Sequence, residues 1–431
     1  MALGHLVAEG SIGPSSDSCE PRAMTMKRPA LLKWSSFALL LLVGTNVGPY
    51  SSMFGPYFLV FLLAMAGALC ALRPNDVVRL ARNGHVLFGS AAFLVLVIAA
   101  NASENGRELK LAMPMATDFI IFCLTAILIE QVVGTPWFTA GISIALAVAV
   151  GINSYEFLVG SNIWSVTPGR AAGLFLNPNI SGNVVAGLSA LYIGSRQGRM
   201  RAGDMAALMV ATTGVIVTFS RGAFVALILA VATAAGVRVW RNPASRRSAI
   251  VAALVLAATI AITTTQLLNG NLSADAQLRV QSLVELDTTD ESSAQRADAA
   301  AYFLSVFLDN PLTGAGPFLS LIGEKGQGPH NSFLAAGVDF GIVGLICYVS
   351  FIFLGLRSTL RLGWQGPLAQ CQLALVMWLA SVSLFSHNIF YEPSGVMMIG
   401  IILGGSALPA RNITRRRNFL AHRSLSSPCA S

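Results

Sequence analysis

The sequence contains very little charge for its length. Only 11% of its 431 residues are charged, whereas 54% are hydrophobic; an average soluble protein has about 25% charged residues. A soluble chain with so few charges would lack the polar surface needed to cover its core. The composition therefore excludes an ordinary soluble protein and predicts that long apolar segments meet lipid.

The sequence also lacks paired cysteines and the footprint of a nucleic-acid-binding protein. None of its six cysteines forms a C-x-x-C pair, and the long hydrophilic segment contains none, so neither a disulfide framework nor a thiolate metal site is expected. The net charge of +8 comes from Lys and Arg clustered in short segments between apolar runs. Such clusters are typical of cytoplasmic loops, and no basic face interleaved with aromatic residues is present. We expect membrane lipid, and no nucleic acid, among the partners.

Apolar segments long enough, or nearly long enough, to span a membrane dominate the sequence. Residues 1–30 are polar and contain no apolar run typical of a signal peptide, so we predict a disordered cytoplasmic tail there. The predicted fold is an all-α polytopic membrane protein, with a twelve-helix domain over residues 31–410 and a basic cytoplasmic tail over 411–431. The twelve segments lie at about 35–50, 55–72, 84–100, 113–133, 137–153, 180–195, 204–219, 222–238, 248–267, 332–356, 369–386 and 392–409.

Arginine clusters determine the predicted orientation. If the N-terminus is cytoplasmic, the loops that follow even-numbered segments are inside, and those loops carry the clusters. Both termini are therefore predicted to be cytoplasmic. The clustered residues are Arg73, Arg79, Arg82, Arg196, Arg199, Arg201, Arg238, Arg241, Arg246, Arg247, Arg357, Arg361, Arg411, Arg415, Arg416 and Arg417.

Two hydrophilic segments, 154–179 and 268–331, fall on the opposite, outer side. Connections this long are usually functional or disordered. The second is acidic and contains apolar residues at helical spacing between Ser293 and Asp309, which predicts an amphipathic helix lying over the outer face like a lid. Asn310-Pro311 ends this helix. The outer segments show no Asp-x-Asp pair and no His/carboxylate cluster at ligand spacing, so we expect neither metal nor cofactor.

His330 and Asn331 end the long outer segment directly before an apolar one. That position places a titratable imidazole where water, loop and bilayer meet. Nine residues separate Asn331 from the Gly341-Ile342-Val343-Gly344 motif. His330 alone could equally be a residue that starts a helix. His387, beside Asn388 at the outer end of the eleventh segment, is either an interface residue or a contact for the acceptor.

Three arginines fall on or near the same outer side. Arg170 precedes a Phe-Leu-Asn-Pro-Asn motif that contains Asn177 and Asn179, Arg221 occupies a Ser-Arg-Gly turn, and Arg296 opens the predicted lid helix. A charge flush with the hydrocarbon is costly and indicates function, and the planar guanidinium suits phosphate oxygens. The alternatives are snorkelling for Arg221, a solvated helix charge for Arg296 and an ordinary loop charge for Arg170.

These motifs, in this order, resemble the signature of the O-antigen ligase and polymerase family. Its members are bacterial membrane enzymes that move lipid-carried glycans outside the cytoplasm. The resemblance covers about residues 160–350; the first five segments match only in being hydrophobic. It implies a GT-C-like glycosyltransferase in the bacterial inner membrane with its active site facing the periplasm. The implied donor is a glycan on undecaprenyl pyrophosphate, and the implied acceptor is lipid A-core or a growing glycan.

The resemblance also implies roles for the candidate residues. Arg221 and Arg296 would stabilise the negative charge that grows on the leaving pyrophosphate, which a divalent metal otherwise does. His330 would accept the acceptor's proton in the neutral form that nearby arginines favour, or it would only orient a phosphate or sugar. The remaining candidates for substrate binding are Arg170, Asn177, Asn179, Asn331 and His387.

Two reaction classes stay open within the resemblance, and one outside it. A ligase transfers the finished glycan to lipid A-core, and the His-Asn spacing favours this reading. A polymerase extends a lipid-linked chain. A transporter or flippase also fits twelve spans, but it would place charges near mid-membrane, whereas the notable charges here lie at the outer edge.

Overall fold

The computed structural model describes residues 28–47, 55–101, 109–160, 163–269, 277, 291–322, 328–364 and 366–404. Over these residues the regular structure is helical and contains no strand, which confirms the all-α prediction. Most of the predicted N-terminal tail, and the whole basic tail over 411–431, lie outside the described residues.

Each of the twelve predicted apolar segments coincides with a helix. Three further helices lie between them, at Pro74–Ala81, Glu291–Asp309 and Leu319–Ile322. In chain order the helices are α1 (Arg28–Gly44), α2 (Gly55–Leu72), α3 (Pro74–Ala81), α4 (Gly84–Asn101), α5 (Leu109–Val132), α6 (Pro136–Val159), α7 (Pro178–Ser195), α8 (Ala202–Val217), α9 (Arg221–Arg241), α10 (Arg246–Asn269), α11 (Glu291–Asp309), α12 (Leu319–Ile322), α13 (Ser332–Arg361), α14 (Gly366–Val382) and α15 (Pro393–Gly404).

Five helical stretches within the described residues are long and apolar enough to cross a membrane. They are Pro114–Val132, Pro136–Val159, Arg221–Arg241, Pro243–Asn269 and Ser332–Arg361. Helices α1, α2, α8, α14 and α15 contribute shorter apolar stretches. The chain is thus a multi-pass membrane protein, while twelve spans with both ends inside stays a prediction.

The boundaries differ from prediction at α1, which spans Arg28–Gly44 instead of about 35–50, and at the end of α6. The sequence places residues 154–179 in an outer loop, but α6 continues to Val159 and ends at a left-handed Gly160. The helix continues past the predicted end because the polar side chains of Asn153 and Glu156 are buried and hydrogen-bonded to neighbouring segments. A hydrophobicity pattern cannot distinguish such satisfied polar residues from loop residues.

Helices α7, α9 and α14 pack together at the centre of the protein. Small residues permit the close approach that membrane helices use in place of a hydrophobic driving force. A Cβ added at Gly194 would lie 2.6 Å from the Cα of Cys371 on α14. Trp378 of α14 donates from Nε1 to the carbonyl of Asn183 at 2.8 Å. The three helices are therefore held together by close packing of a glycine against the α14 backbone and by a hydrogen bond from a buried side chain.

Arginine-bearing loops meet at one end of this bundle. Arg238 donates to the carbonyl of Arg196 at 3.0 Å, and Arg241 donates to the carbonyl of Trp364 at 3.2 Å. These contacts join the loops that follow α7, α9 and α13. The predicted orientation requires this arrangement, because it assigns all three loops to the same side of the membrane.

Candidate functional site

At the opposite end, helix α11 packs on α13 with the side chains that its sequence pattern predicts. Phe303 is 1% exposed, and a Cβ added at Gly337 of α13 would lie 3.2 Å from the Phe307 ring. The helix ends at Asp309 as predicted, but it begins at Glu291. Arg296 therefore lies in the second turn of α11 and does not open the helix.

Helix α13 is broken at Gly341, the first glycine of the Gly-x-x-Gly motif. Gly341 has φ 65° and ψ −159°, a backbone conformation that residues other than glycine rarely adopt. The loop after α11 fills the break: Ile342 donates its N–H to the carbonyl of Pro311 at 2.7 Å. A Cβ at Gly341 would lie 2.3 Å from the carbonyl oxygen of Leu312. Two of the predicted motifs are thus in direct contact.

The first residues of α13 are fixed to the end of α14. Ser332 donates its N–H to the carbonyl of Ser383 at 2.8 Å and its hydroxyl to the carbonyl of Ser386 at 2.6 Å. Asn331 caps the helix by accepting from the N–H of Phe333 at 2.9 Å. Its side-chain oxygen therefore has a structural role, in addition to any role in substrate binding.

This attachment brings His330 against His387. Their ring centroids are 5.1 Å apart and the rings are nearly perpendicular. His330 has φ 49°, so its backbone lies in the left-handed region. Gly328 packs on the other ring, where an added Cβ would lie 2.2 Å from Nε2 of His387. Nδ1 of His387 is buried and has no hydrogen-bond partner within the described part of the chain.

Both imidazoles are neutral at physiological pH. Burial, followed by the charges of Arg296 and Arg170, lowers the pKa of His330 to about 4. Burial, followed by the charge of His330, lowers the pKa of His387 to about 3. Arg170 and Arg296, from two different predicted motifs, therefore lie close enough to His330 to act on its charge.

Arg170 joins the start of α7 to the turn between α8 and α9. It donates from Nε to the carbonyl of Thr218 at 2.8 Å and from a terminal nitrogen to Oδ1 of Asn179 at 2.7 Å. Asn177 caps α7 by accepting from the N–H of Asn179 at 2.9 Å. In this structure the two asparagines position Arg170 and the helix start.

Arg221 is half-buried at the first turn of α9. Its neighbour Gly222 faces Phe385, where an added Cβ would lie 2.5 Å from Cβ of Phe385. Phe385 precedes His387 by two residues. The Ser-Arg-Gly turn thus belongs to the same end of the bundle as His330, although the charges that lower the pKa of His330 come from the other two arginines.

The N-termini of α7, α9 and α13 meet at this end. Gly182 of α7 packs on the cap of α9, where an added Cβ would lie 3.0 Å from Cβ of Ser220, and α13 is tied to α14 beside Phe385. Helix N-termini carry partial positive charge from unpaired N–H groups. Together with the arginines, they make this end of the bundle favourable for an anion.

The sequence reasoning missed Glu156, which organises the loop that carries Arg170. One carboxylate oxygen accepts from the N–H groups of Ala172 and Gly173, each at 2.8 Å. The other accepts from the N–H groups of Trp164 and Ser165 at 2.7 and 2.5 Å. These partners are backbone groups, so no residue pattern indicates them.

Asp339 was also missed, although the sequence contains a signal for it. This residue is a lone acid within an apolar segment, a position that generally marks function or a specific partner. It is 1% exposed and accepts from the N–H and hydroxyl of Ser320 at 2.8 and 2.7 Å, and from the Tyr391 hydroxyl at 2.6 Å. It thereby ties α12 and the start of α15 to α13 beside the break.

An apolar cavity of about 250 Å³ extends from His387 between α4 and α13. Its walls include Phe88, Phe340, Tyr348 and Phe390. A cavity with this lining can hold part of a hydrocarbon chain whose polar end lies beside the histidines.

Comparison with known proteins supports the interpretation drawn from the motifs. No curated protein matches the sequence. Residues 206–349 match the O-antigen ligase family; this region holds Arg221, Arg296, His330 and the break at Gly341. Arg170 and His387 lie outside the matched region, yet the structure places both beside the matched residues. The family that the motifs predict is thus the family whose model matches residues 206–349.

Proposed function

We propose that the protein is an O-antigen ligase that transfers a glycan from undecaprenyl pyrophosphate to a lipid A-core acceptor at the periplasmic face of the inner membrane. The observation that carries this proposal is the pair of neutral histidines, His330 and His387, beside Arg170 and Arg296. It joins a proton acceptor to an anion site in one place. The family match supports a lipid-linked glycan as the substrate class.

The proposed reaction is a displacement at the anomeric carbon of the glycan. An acceptor hydroxyl oxygen bonds to that carbon while the bond from the carbon to the pyrophosphate oxygen breaks. The leaving undecaprenyl pyrophosphate takes the electron pair, and Arg221 and Arg296 stabilise its growing charge. The acceptor's hydroxyl proton passes to His330.

The low pKa of His330 fits this order of events. Burial and the two arginines lower the pKa of His330 to about 4, so the ring is neutral and able to accept a proton but is a weak base. A bound pyrophosphate brings negative charge that offsets the arginines and raises the pKa. His330 thus becomes a stronger base when the donor is in place. The alternative role, orienting a phosphate or sugar, also uses the neutral ring.

The apolar cavity beside His387 gives the polyprenyl chain a place to lie. Its walls are almost entirely apolar, and a cavity of about 250 Å³ accommodates only the first isoprene units. The remaining chain would extend into lipid. In this arrangement the pyrophosphate lies at the polar end of the cavity, where the three helix N-termini meet.

A polymerase of the same family is the alternative, because it uses the same donor and differs only in the acceptor. Transport is less well supported. The two acids of the fourth apolar segment, Asp118 and Glu130, lie towards its two ends, and Glu130 forms an ion pair with Arg79 at 3.2 Å.

In-vitro transfer by the purified full chain tests the proposal. The reaction contains pyrophosphate-linked glycan, lipid A-core and EDTA, because we expect transfer to need no metal. Wild type is compared with His330→Ala and Arg221→Ala, and with Arg199→Ala, an exposed arginine in a loop at the other end of the bundle.

Glycan on lipid A-core in wild type and Arg199→Ala, with at least about a hundredfold loss in the other two variants, is the expected result. Lengthening of the lipid-linked glycan alone would identify a polymerase. If neither product forms under conditions that support a known ligase, the proposed chemistry is wrong.

A further inference from the structure

A second cavity, of about 730 Å³, lies at the end of the bundle opposite the histidines. Four arginines line it: Arg79 and Arg82 from the α3 region, and Arg357 and Arg361 from the last turns of α13. The twenty residues from Ile342 to Arg361 form unbroken helix, so Arg357 and Arg361 lie about 24 and about 30 Å from the break at Gly341. The two cavities share Phe88 in their walls, but the arginines of this cavity are distinct from those of the proposed transfer site.

The described residues in the walls of this cavity do not neutralise the positive charge of the four arginines. Among the described residues that line it there is no acidic side chain. Glu130, outside the lining, forms an ion pair with Arg79 at 3.2 Å. Like charges brought together repel one another, so the cluster favours a bound anion.

Asn83 supplies a second and independent feature. It is 8% exposed and lines the cavity, and its Oδ1 accepts from the N–H of His85 at 3.1 Å at the start of α4. Its Nδ2 is buried without a hydrogen-bond partner within the described part of the chain. A buried donor with no partner is costly, and a ligand oxygen in this cavity would satisfy it.

The remaining walls are apolar. Phe88, Phe353 and Leu354 line the cavity beside the arginines, and Phe353 is 60% exposed. A ligand that fits both parts has an anionic head and hydrocarbon chains. This end also carries the predicted cytoplasmic loops, where anionic lipids attract basic segments.

We propose that this cavity binds the phosphate of an anionic phospholipid, with Asn83 and the four arginines around the phosphate oxygens and the acyl chains along Phe353 and Leu354. The site does not depend on the proposed transfer reaction. A free phosphate ion has the same recognition chemistry, so the test separates the two sources.

The test is native mass spectrometry of the purified full chain, with thermal unfolding measured in parallel. The probes are dioleoylphosphatidylglycerol, dioleoylphosphatidylcholine and inorganic phosphate. The variants are Asn83→Asp, which keeps the helix-capping oxygen but replaces the free donor with negative charge, and Arg82→Gln. Arg247→Gln is the matched control, an exposed arginine at the same end but outside the cavity.

Wild type and Arg247→Gln are expected to retain phosphatidylglycerol in preference to phosphatidylcholine. Both cavity variants should bind about tenfold less, because each loses a charge-assisted contact. Equal retention of the two lipids, or unchanged retention by both cavity variants, would overturn the proposal. Binding of inorganic phosphate that is lost in the same variants, without preference for phosphatidylglycerol, would keep the phosphate site and overturn the lipid as its source. Arg82 is exposed, so its variant informs even if Asn83→Asp folds poorly.

Discussion

The charges around His330 determine the pH range in which it can accept a proton. Its pKa is lowered to about 4, first by burial and then by Arg296 and Arg170. The reactive neutral ring therefore persists as the pH falls through 6 in the protein without donor, and kcat/KM for the donor, which reports the pKa of the free enzyme, should decline only near pH 4. Replacing Arg296 with Gln removes one of the charges that lower this pKa, so the acid limb of the pH–rate profile should move upward.

For Arg296→Gln, the quantity to measure is the pH at which the acid limb falls, and not the maximal rate. The rate can fall for a different reason, since Arg296 is also proposed to bind pyrophosphate. Arg199→Gln serves as the control and should leave the limb where wild type has it. An unmoved limb in Arg296→Gln would show that the arginine does not act on His330.

Glu156 is expected to stabilise the folded protein, because its carboxylate accepts four backbone N–H groups. In Glu156→Gln an NH₂ group replaces an oxygen that accepts two backbone N–H groups. Buried donors would then face a donor, at a cost of about 1–3 kcal/mol. We expect a lower unfolding temperature and faster proteolysis in residues 163–177. The exposed Asp298→Asn should change neither, and equal proteolysis of both variants would contradict the assignment.

At the residue scale, functional side chains can be predicted from the sequence where a polar or charged residue lies beside an apolar segment. Side chains that hydrogen-bond to backbone groups, such as Glu156, cannot be predicted in this way. Arg170, Arg296 and His330 could be predicted because a charge or a titratable ring at the membrane edge costs free energy and so indicates function. The contact between His330 and His387 could not be predicted, because 57 positions separate them and only the pairing of α13 with α14 brings them together.

At the element scale, the break in α13 is the feature that joins the motifs. Gly341→Ala combines a positive φ with a Cβ 2.3 Å from the carbonyl oxygen of Leu312. The expected cost is on the order of 1–3 kcal/mol, with loss of transfer because the loop after α11 must move. Thermal unfolding and transfer activity are the measurements.

Gly236→Ala is the matched control for that variant. Gly236 lies within α9 and an added Cβ would meet no atom within 4 Å. Alanine is the better helix former, so the change should be neutral or stabilising by up to about 1 kcal/mol. Equal behaviour of the two variants would mean that the break does not depend on glycine.

The helices themselves were predictable, because apolar runs and turn residues mark them directly. Asn310-Pro311 correctly ends α11, and the short turns before α6 and α9 lie where the sequence indicates. The break within α13 was not predicted. Gly-x-x-Gly is common in membrane helices, and only the contact with the loop after α11 explains why this one is broken.

At the scale of the whole molecule, the contacts divide the loops between two ends. If the histidine end is periplasmic, Val166→Cys in a cysteine-free chain should react with an impermeant thiol reagent applied to spheroplasts. Ala244→Cys should react only after permeabilisation. Both positions are exposed, so access to the reagent depends on the membrane alone. The reverse pattern would invert the predicted orientation.

The distribution of arginine predicts which loops share a side, and the contacts of Arg238 and Arg241 agree with it. The number of spans is harder to predict. Several apolar helices are short, and whether each crosses the bilayer depends on local membrane thickness and tilt, which the sequence does not encode.

The left-handed backbone of His330 has a consequence for engineering. At φ 49° a histidine costs about 1 kcal/mol relative to glycine, but His330→Gly would also remove a half-buried ring that packs on His387. The relief of strain and the loss of packing act in opposite directions, so the melting temperature of this variant does not report on catalysis. Any directed-evolution scheme that includes this position has to score transfer as well as stability.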